Sequence, residues 1–350
     1  MAMKISVPKE VHPAERKPTN LALQGGGTHG AFTWGVLDKL LEDGRLDLDG
    51  VSGTSAGAIN AVALAAGLME GGREGARAKL EEIWRGVSDF ARYHPLLSHP
   101  LATKDGDDSV ASMALCVLTG VLSPYDLNPL DFNPLRDILD QSINFRQLRR
   151  KSPLQLYIAA TDVATGRARI FETSEVSLDV VLASACLPSL YKAVKIRHQH
   201  FWDGGFSANP AILPLIRGGG AEDTLLVQIN PTHVPGPPTK AQDILAQVNR
   251  ITFNQPLLRE IEIIKHSRWM ARRSLVFGSR YGRRIKRHRF HLIEATRYTK
   301  DLGHVSKLTP DWELLSYLRD SGRTVADSWL RRNWTAIGRR STVDLEAKVL

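Results

Sequence analysis

Short apolar runs closed by glycine, each followed by a stripe at helical spacing, set the rhythm of the first part of this chain. Leu21-Ala22-Leu23-Gln24 reads as a strand that runs into Gly25-Gly26-Gly27-Thr28-His29-Gly30, and an amphipathic helix from about Ala31 to Glu42 follows. Asp43-Gly44 ends that helix, and Leu46 to Val51 leads back into a second strand. This strand delivers Gly53-Thr54-Ser55-Ala56-Gly57, from which an alanine-rich helix extends to about Met69. Another helix is predicted for roughly Arg73 to Val87, where Ala76, Leu80, Ile83, Trp84 and Val87 fall on one face. Strand, glycine turn and helix, repeated, open an α/β fold.

Beyond this the pattern thins and then recovers. Residues 90 to 130, with Pro95, Pro100 and the cluster Asp105-Gly106-Asp107-Asp108, read as a surface excursion, a lid over a site being the alternative. A helix is predicted near Leu135 to Gln141, strands at Leu154 to Ala160 and Arg169 to Phe171, and a helix from Ser177 to Cys186. Tyr191 to Ile196 and His200 to Trp202 read as paired strands, the second delivering Asp203-Gly204-Gly205. Leu225 to Ile229 is a further strand, and the proline-rich loop Pro231 to Pro238 is the best candidate boundary. After it come a helix of about Ala241 to Ile264, a basic segment, a strand Phe290 to Glu294 and a capped helix opening at Thr309-Pro310-Asp311. The expected organisation is a polar tail (1–18), a catalytic domain (19–231) and an extension (232–350) packed on it.

Composition adds limits. With 350 residues, 43% hydrophobic and 24% charged, the chain can bury a large core without dividing. The N-terminus has no apolar stretch of a secretory signal, and the longest apolar run, Met113 to Leu122, is too short to span a bilayer. A cytoplasmic protein, peripheral at a membrane at most, is the expectation. Cys116 and Cys186 lie in apolar surroundings without metal or redox spacing and read as free thiols. The net charge of +9 is unevenly placed: ten Lys or Arg and no Asp or Glu lie between Lys265 and His291, so the rest of the chain carries 9 − 10 = −1.

Candidate chemistry lies at the glycine turns. Gly53 to Gly57 is a G-x-S-x-G pattern between a strand and a helix, the setting of a nucleophile elbow with Ser55 exposed at a helix N-terminus. Gly25 to Gly30 fits two jobs. As G-x-G-x-x-G it could hold a dinucleotide pyrophosphate, but the second strand ends in Gly53-Thr54-Ser55 rather than in the acidic residue that job requires. As an oxyanion hole, its backbone N–H groups would converge beside the elbow serine. A tight turn with no further role is the plain alternative for either loop. Asp203, before two glycines, could stand next to the elbow or be a surface turn acid. A Ser-His-Asp arrangement would have to draw on His233 or His304, and His198 with His200 reads as two exposed strand residues rather than a metal pair.

Taken in order, Gly25 to Gly30, Gly53 to Gly57 and Asp203 to Gly205 resemble the three signature blocks of the patatin-like phospholipases. Ala183-Ser184-Ala185-Cys186-Leu187-Pro188 and the turn from Thr161-Asp162 to Gly166 are similar to further blocks of that family. The resemblance covers about Asn20 to Pro231. It implies a three-layer α/β/α sandwich with a central, mostly parallel mixed sheet, here with a mainly helical C-terminal extension. It also implies a serine acyl hydrolase of the phospholipase A or lysophospholipase kind, working by a Ser-Asp dyad without histidine, cofactor or metal. Carried over by position, Ser55 is the nucleophile and Asp203 its base, the oxyanion hole is Gly25, Gly26, Gly27 and Thr28, and Gly30, Gly53, Gly57, Gly204 and Gly205 complete the motifs. His29 stands where many members carry Arg or Lys.

Neutral glycerides or a storage polyester remain alternative substrates, and a non-catalytic lipid- or anion-binding protein on the same scaffold is the alternative class. The basic segment 265–291, through Arg272, Arg273, Arg283, Arg284 and Arg287, is the candidate contact for an anionic membrane surface. No base-reading module is visible, so nucleic acid is not an expected partner, and a homodimer through the late helix is the remaining partner expectation.

Overall fold

The computed structural model describes residues 16–93, 123–218, 220–233, 236–273, 279–299, 302, 304–307 and 310–344. Most of the 90–130 excursion, Cys116, the run Met113 to Leu122 and residues 1–15 of the polar tail lie outside the described residues, while Lys17 and Pro18, assigned to that tail, belong to the first strand.

Eight strands form one mixed sheet: β1 (Lys17–Leu23), β2 (Leu46–Thr54), β3 (Gln155–Asp162), β4 (Ala168–Glu172), β5 (Val194–Ile196), β6 (Gln199–Asp203), β7 (Asp223–Gln228) and β8 (Arg289–Glu294). Their order is β5-β6-β3-β2-β1-β7-β8, with β4 paired to β3 off that path. The run β3-β2-β1-β7-β8 is parallel throughout, and β4, β5 and β6 join antiparallel at one side. Parallel strands covered on both faces read as continuous apolar runs, which is why Leu21-Ala22-Leu23 and Leu225-Leu226-Val227 are buried without alternation.

Helices cover both faces. The early helices are α1 (Gly30–Asp43) and α2 (Ala56–Tyr93); α2 is interrupted at Gly71 and Gly72, where the backbone leaves the helical region, so it corresponds to the two helices predicted. Next come α3 (Pro124–Leu127), α4 (Pro134–Ser142), α5 (Phe145–Lys151), α6 (Leu178–Ser184) and α7 (Leu213–Gly218). The chain then forms α8 (Ala241–Arg273), α9 (Arg280–Arg287), α10 (Thr296–Thr299) and α11 (Trp312–Asn333). Leu21, Leu23, Val51, Leu225 and Val227 pack against α1, α2 and α11 on one face. Ala22, Tyr157, Leu226 and Phe290 pack against α7, α8 and α9 on the other. Each strand thus feeds two cores, the arrangement of a three-layer sandwich.

Local signals account for several boundaries. Ser177 accepts a hydrogen bond from Val180 N at the start of α6, and Asp311 caps α11 through Glu313 N and Leu314 N. Helices α3, α5, α7, α9 and α10 have no counterpart in the sequence pattern, and α8 runs nine residues past the predicted Ile264. Its far end is held by tertiary contacts: Arg268 donates to the carbonyls of Ile285 and His288, and Ile285 is buried from α9. The extension is woven into the fold, since β8 adds a parallel strand beside β7 and α11 lies along α1.

Candidate active site

Every candidate chemical group comes from the edge of the sheet where the parallel strands end, which is where ligands bind in open α/β sheets. β1 passes through Gln24 into the glycine loop, and β2 ends in Thr54, paired with Ala159 of β3. On the other side of β3, Ala160 pairs with Asp203 at the end of β6. The register therefore delivers the two loops and the aspartate to one place.

Ser55 sits in the left-handed region with φ 54, a strained conformation for a residue with a side chain. Three contacts hold it there. Its N–H donates to Ser184 Oγ at 2.9 Å, Thr54 Oγ1 donates to Ala208 O at 2.7 Å, and the helix begins at once with Ala58 N donating to Ser55 O at 2.8 Å. Gly57 has no room for a side chain, because a Cβ there would overlap Leu23 O of the neighbouring strand. Gly53 backs onto Gly57 within the elbow, and Gly30 lies against Ala56.

The glycine loop runs directly beside the serine. A Cβ on Gly25 would fall 2.8 Å from Ser55 Cβ and 2.7 Å from Thr54 O. Gly25 N–H donates to Asn209 Oδ1 at 2.7 Å, so this group is already engaged. Among the described residues no acceptor is found for the N–H groups of Gly26 and Gly27, and Gly27 adopts φ +58. Thr28 and His29 are buried behind the loop.

Asp203 is fully buried. Its N–H donates to Cys186 O at 2.8 Å, and its Oδ1 accepts from Gly205 N at 2.7 Å. Among the described residues its Oδ2 is buried with no hydrogen-bond partner. The Ser55 hydroxyl lies close enough to favour the charged carboxylate, although no hydrogen bond of ordinary geometry joins them. Burial dominates and pushes the carboxyl up to about 7, against the opposing pull of Gly205 N–H and Ser55. A group tuned to neutrality beside a strained serine is suited to taking and returning a proton. Gly204 is pressed against Ala159 O and Thr54, and Gly205 against Phe253 of α8.

A polar layer behind the loop uses residues the sequence reading did not single out. Gln24 Oε1 accepts from Ile229 N and Asn230 N, both at 2.8 Å, while its Nε2 donates to Asn254 Oδ1 on α8 at 3.1 Å. Asn230 Nδ2 donates to Gly25 O at 2.9 Å, and Asn209 Nδ2 donates to Phe253 O at 3.0 Å. Asn209 and Asn230 stand just after a motif and just after a strand, where polar residues are common, so no pattern marked them.

Of the two histidines of the alternative arrangement, His233 is exposed, and His304 opens a short turn, His304–Lys307, that packs on the glycine loop. His288 meets Thr224, and His291 meets Asp223 and Thr342, at the opposite end of β7. Among the described residues no group of three or more His, Cys, Asp or Glu could hold a metal ion. Cys186 is buried, its thiol pushed up to about 12 by burial. In the basic segment Arg272, Arg273, Arg283 and Arg287 are exposed, Arg273 lying 4.3 Å over the Trp269 ring. Arg284 is half-buried and donates to Ala221 O at 3.4 Å, and Arg289 pairs with Asp223. Among the described residues no helix is long and apolar enough to cross a membrane.

A strained serine at a strand-to-helix turn, a glycine loop against it and a buried carboxyl on a covered mixed sheet define an α/β protein of nucleophile-elbow architecture. Residues 21–216, more than half of the chain, match the family Patatin-like phospholipase. The chain belongs to that family of lipid hydrolases. Among solved structures it is similar to VipD from Legionella pneumophila, with 16% identity and a TM-score of 0.45, over 91% of this chain and 67% of that one. It is also similar to a chain of the heterodimeric ExoU-SpcU complex of the type III secretion system of Pseudomonas aeruginosa, with 16% identity and a TM-score of 0.32, over 92% of this chain and 60% of that one. This chain thus spans about two thirds or less of those proteins. A comparison with curated proteins gives no match.

Proposed function

We propose that this chain hydrolyses acyl esters of lipids through Ser55 and Asp203, by way of an acyl-enzyme. The observation that carries the reading is the buried, unpaired Oδ2 of Asp203, on a carboxyl held at about 7, next to a serine in a strained turn. An unpaired buried oxygen is costly as mere structure, and a proton acceptor needs one.

Asp203 takes the hydroxyl proton as Ser55 Oγ bonds to the ester carbonyl carbon, and the carbonyl oxygen becomes an oxyanion. The N–H groups of Gly26 and Gly27, which meet no acceptor among the described residues, are the donors available to it. Collapse breaks the bond to the alcohol oxygen, which receives the proton from Asp203. Water then attacks the acyl-serine, giving its proton to Asp203, and the acid leaves as Ser55 recovers its hydrogen.

Labelling with a fluorophosphonate probe tests this. A single adduct that disappears in Ser55→Ala is expected. An adduct indifferent to that change, or none on the folded wild-type chain, would leave a non-catalytic lipid-binding protein as the better account.

A further inference from the structure

Helix α8 is longer than the sheet it covers. Asn254 lies level with the ends of the parallel strands, bonded to Gln24 and to Pro231 O just after β7, and Arg268 lies level with their starts, bonded to His288 O just before β8. The residues between them rise about 21 Å, the length of a six-residue strand. The first three turns of α8, from Ala241, therefore overhang the edge where Ser55 and Asp203 stand, and Phe253 at their base packs on Gly205 and Phe206. On this overhang Ile244, Leu245, Val248 and Ile251 form one stripe at i, i+1, i+4 and i+7, each between 45% and 60% exposed. Along the line continued from Ile244, Val248 and Ile251 stand Gln255, Arg259 and Glu262, all exposed. That line is apolar only where it leaves the sheet, so the packing of α8 on the sheet does not account for it.

A second apolar feature stands by the same edge. After α3 the chain makes the tight turn Asn128–Phe132, in which Asn128 Oδ1 accepts from Phe132 N and Asn128 Nδ2 donates to Phe132 O, both at 2.8 Å. Leu130 at its tip is 90% exposed, with Tyr125 and Leu127 exposed beside it. A leucine so exposed on a well-bonded turn contributes almost no burial to the fold. Lys192 ties this turn to the site: its Nζ donates to Pro129 O at 2.8 Å and stands 5.5 Å over the Tyr125 ring, and its carbonyl accepts from the Cys186 thiol at 3.1 Å. Cys186 O in turn receives the N–H of Asp203. Phe201 of β6 pairs with Asp162, the last residue of β3, so the β5–β6 hairpin before it also passes the edge. Flanking these features, Arg167, Lys195, Arg197 and Lys240 are exposed and have no ion pair among the described residues, against the exposed acids Asp126, Asp131 and Asp243. With Lys192 the balance is positive.

We propose that the overhang of α8 and the turn at Leu130 form one docking face for an anionic lipid bilayer, which seats the sheet edge carrying Ser55 on the membrane. This rests on the lipid-hydrolase reading of that site. The apolar side chains enter the boundary of the acyl region while the cations meet headgroups. Because both features stand at the edge of Ser55 and Asp203, an ester need not cross water to reach them. The basic segment lies elsewhere. Arg284 reaches Ala221 O, ahead of β7, and Arg289 pairs with Asp223 at the first position of β7, so α9 stands at the far edge, about 20 Å of strand away. A bilayer held there would lie at the wrong end of the sheet for Ser55. Trp269, the exposed aromatic at that end of α8, is already flanked by His266 and Arg273.

The test uses the full chain carrying Ser55→Ala, which keeps binding apart from turnover, in co-sedimentation with vesicles of phosphatidylcholine and of its equal mixture with phosphatidylglycerol. Binding to the anionic mixture is expected, and weaker binding to phosphatidylcholine. Leu245→Ser with Val248→Ser, and separately Leu130→Ser, should each weaken partition to the mixture by about tenfold or more, the loss that withdrawing an inserted apolar side chain brings. These positions lie outside both cores, so circular dichroism and, in the wild-type background, the rate on a soluble p-nitrophenyl ester should stay unchanged. Arg283→Ser with Arg287→Ser should leave partition unaltered, whereas about fivefold per arginine would be lost if that segment lay at the surface. No binding to the anionic vesicles, equal binding to the neutral ones, or loss confined to the arginine variant overturns the docking face. So does a chain that binds no vesicle and is dimeric in sedimentation velocity but monomeric with Leu245→Ser, since the face then belongs to a second copy. The two readings separate: vesicle binding through this face by a chain whose wild type hydrolyses no ester refutes the hydrolase alone, and hydrolysis of dispersed lipid without such binding refutes the face alone.

Discussion

Replacing Asp203 with Asn removes a buried charge and nearly preserves the shape. Asn Oδ1 keeps the hydrogen bond from Gly205 N, and Nδ2 takes the place of an oxygen that has no partner. In the unfolded chain the Asp203 carboxyl ionises near 3.8, and in the folded chain near 7. Between those values the folded chain holds the extra proton, so this group's contribution to stability falls as pH rises, and the full cost is present above about 7. The gap corresponds to about 4 kcal/mol. A buried amide left without an acceptor would offset about 1 kcal/mol of the gain. Asp203→Asn should therefore abolish turnover and make the protein more stable at alkaline pH. Paired denaturant-unfolding curves of wild type and variant at about pH 5 and about pH 8.5 measure this, and the advantage of the variant should grow by about 3 kcal/mol between them. Comparing the two pH values cancels any fixed cost of the amide. An advantage that does not change with pH, or a variant less stable than wild type at pH 8.5, would refute a buried charge on Asp203 that Gly205 N–H and Ser55 only partly compensate.

Because Asp203 accepts a proton only when ionised, kcat/KM on a soluble p-nitrophenyl ester should rise with pH and level off above about 7; an acid limb near 4 would point to an unperturbed carboxyl. Ser184→Ala leaves the buried Ser55 N–H without its acceptor, so a stability loss of about 1–3 kcal/mol is expected, with kcat lowered more than KM is raised as the elbow loosens. Denaturation curves and steady-state kinetics on the same ester check both effects.

Much of the site was legible because its parts are local. An elbow needs small residues at fixed offsets around the serine, and Gly57 against Leu23 O shows the contact that imposes this. A strand leading to Asp203-Gly204-Gly205 reads off alternation and glycine alone. The partners were less legible. Asn209, Asn230 and Asn254 carry no local pattern, because their meaning lies in which distant backbone they reach. The basic segment shows the opposite failing. As a string it reads as one uncompensated patch, yet Arg268 and Arg289 bind carbonyls and carboxylates of the fold and Arg284 is half-buried.

The sequence by itself determined the α/β succession, the two glycine turns at the ends of successive strands, and the residue types able to serve as nucleophile and base. Short-range sterics and hydrophobic period decide those, and both are written in neighbouring residues. Only the tertiary structure decided that Asp203 is buried with an unpaired oxygen beside Ser55, that Gly25 N–H is spent on Asn209, and that the C-terminal extension supplies β8 and the short turn on the glycine loop. Burial and desolvation come from everything packed around a group, so a carboxyl moves from 3.8 to about 7 only once the sheet, both helix layers and the extension have closed on it.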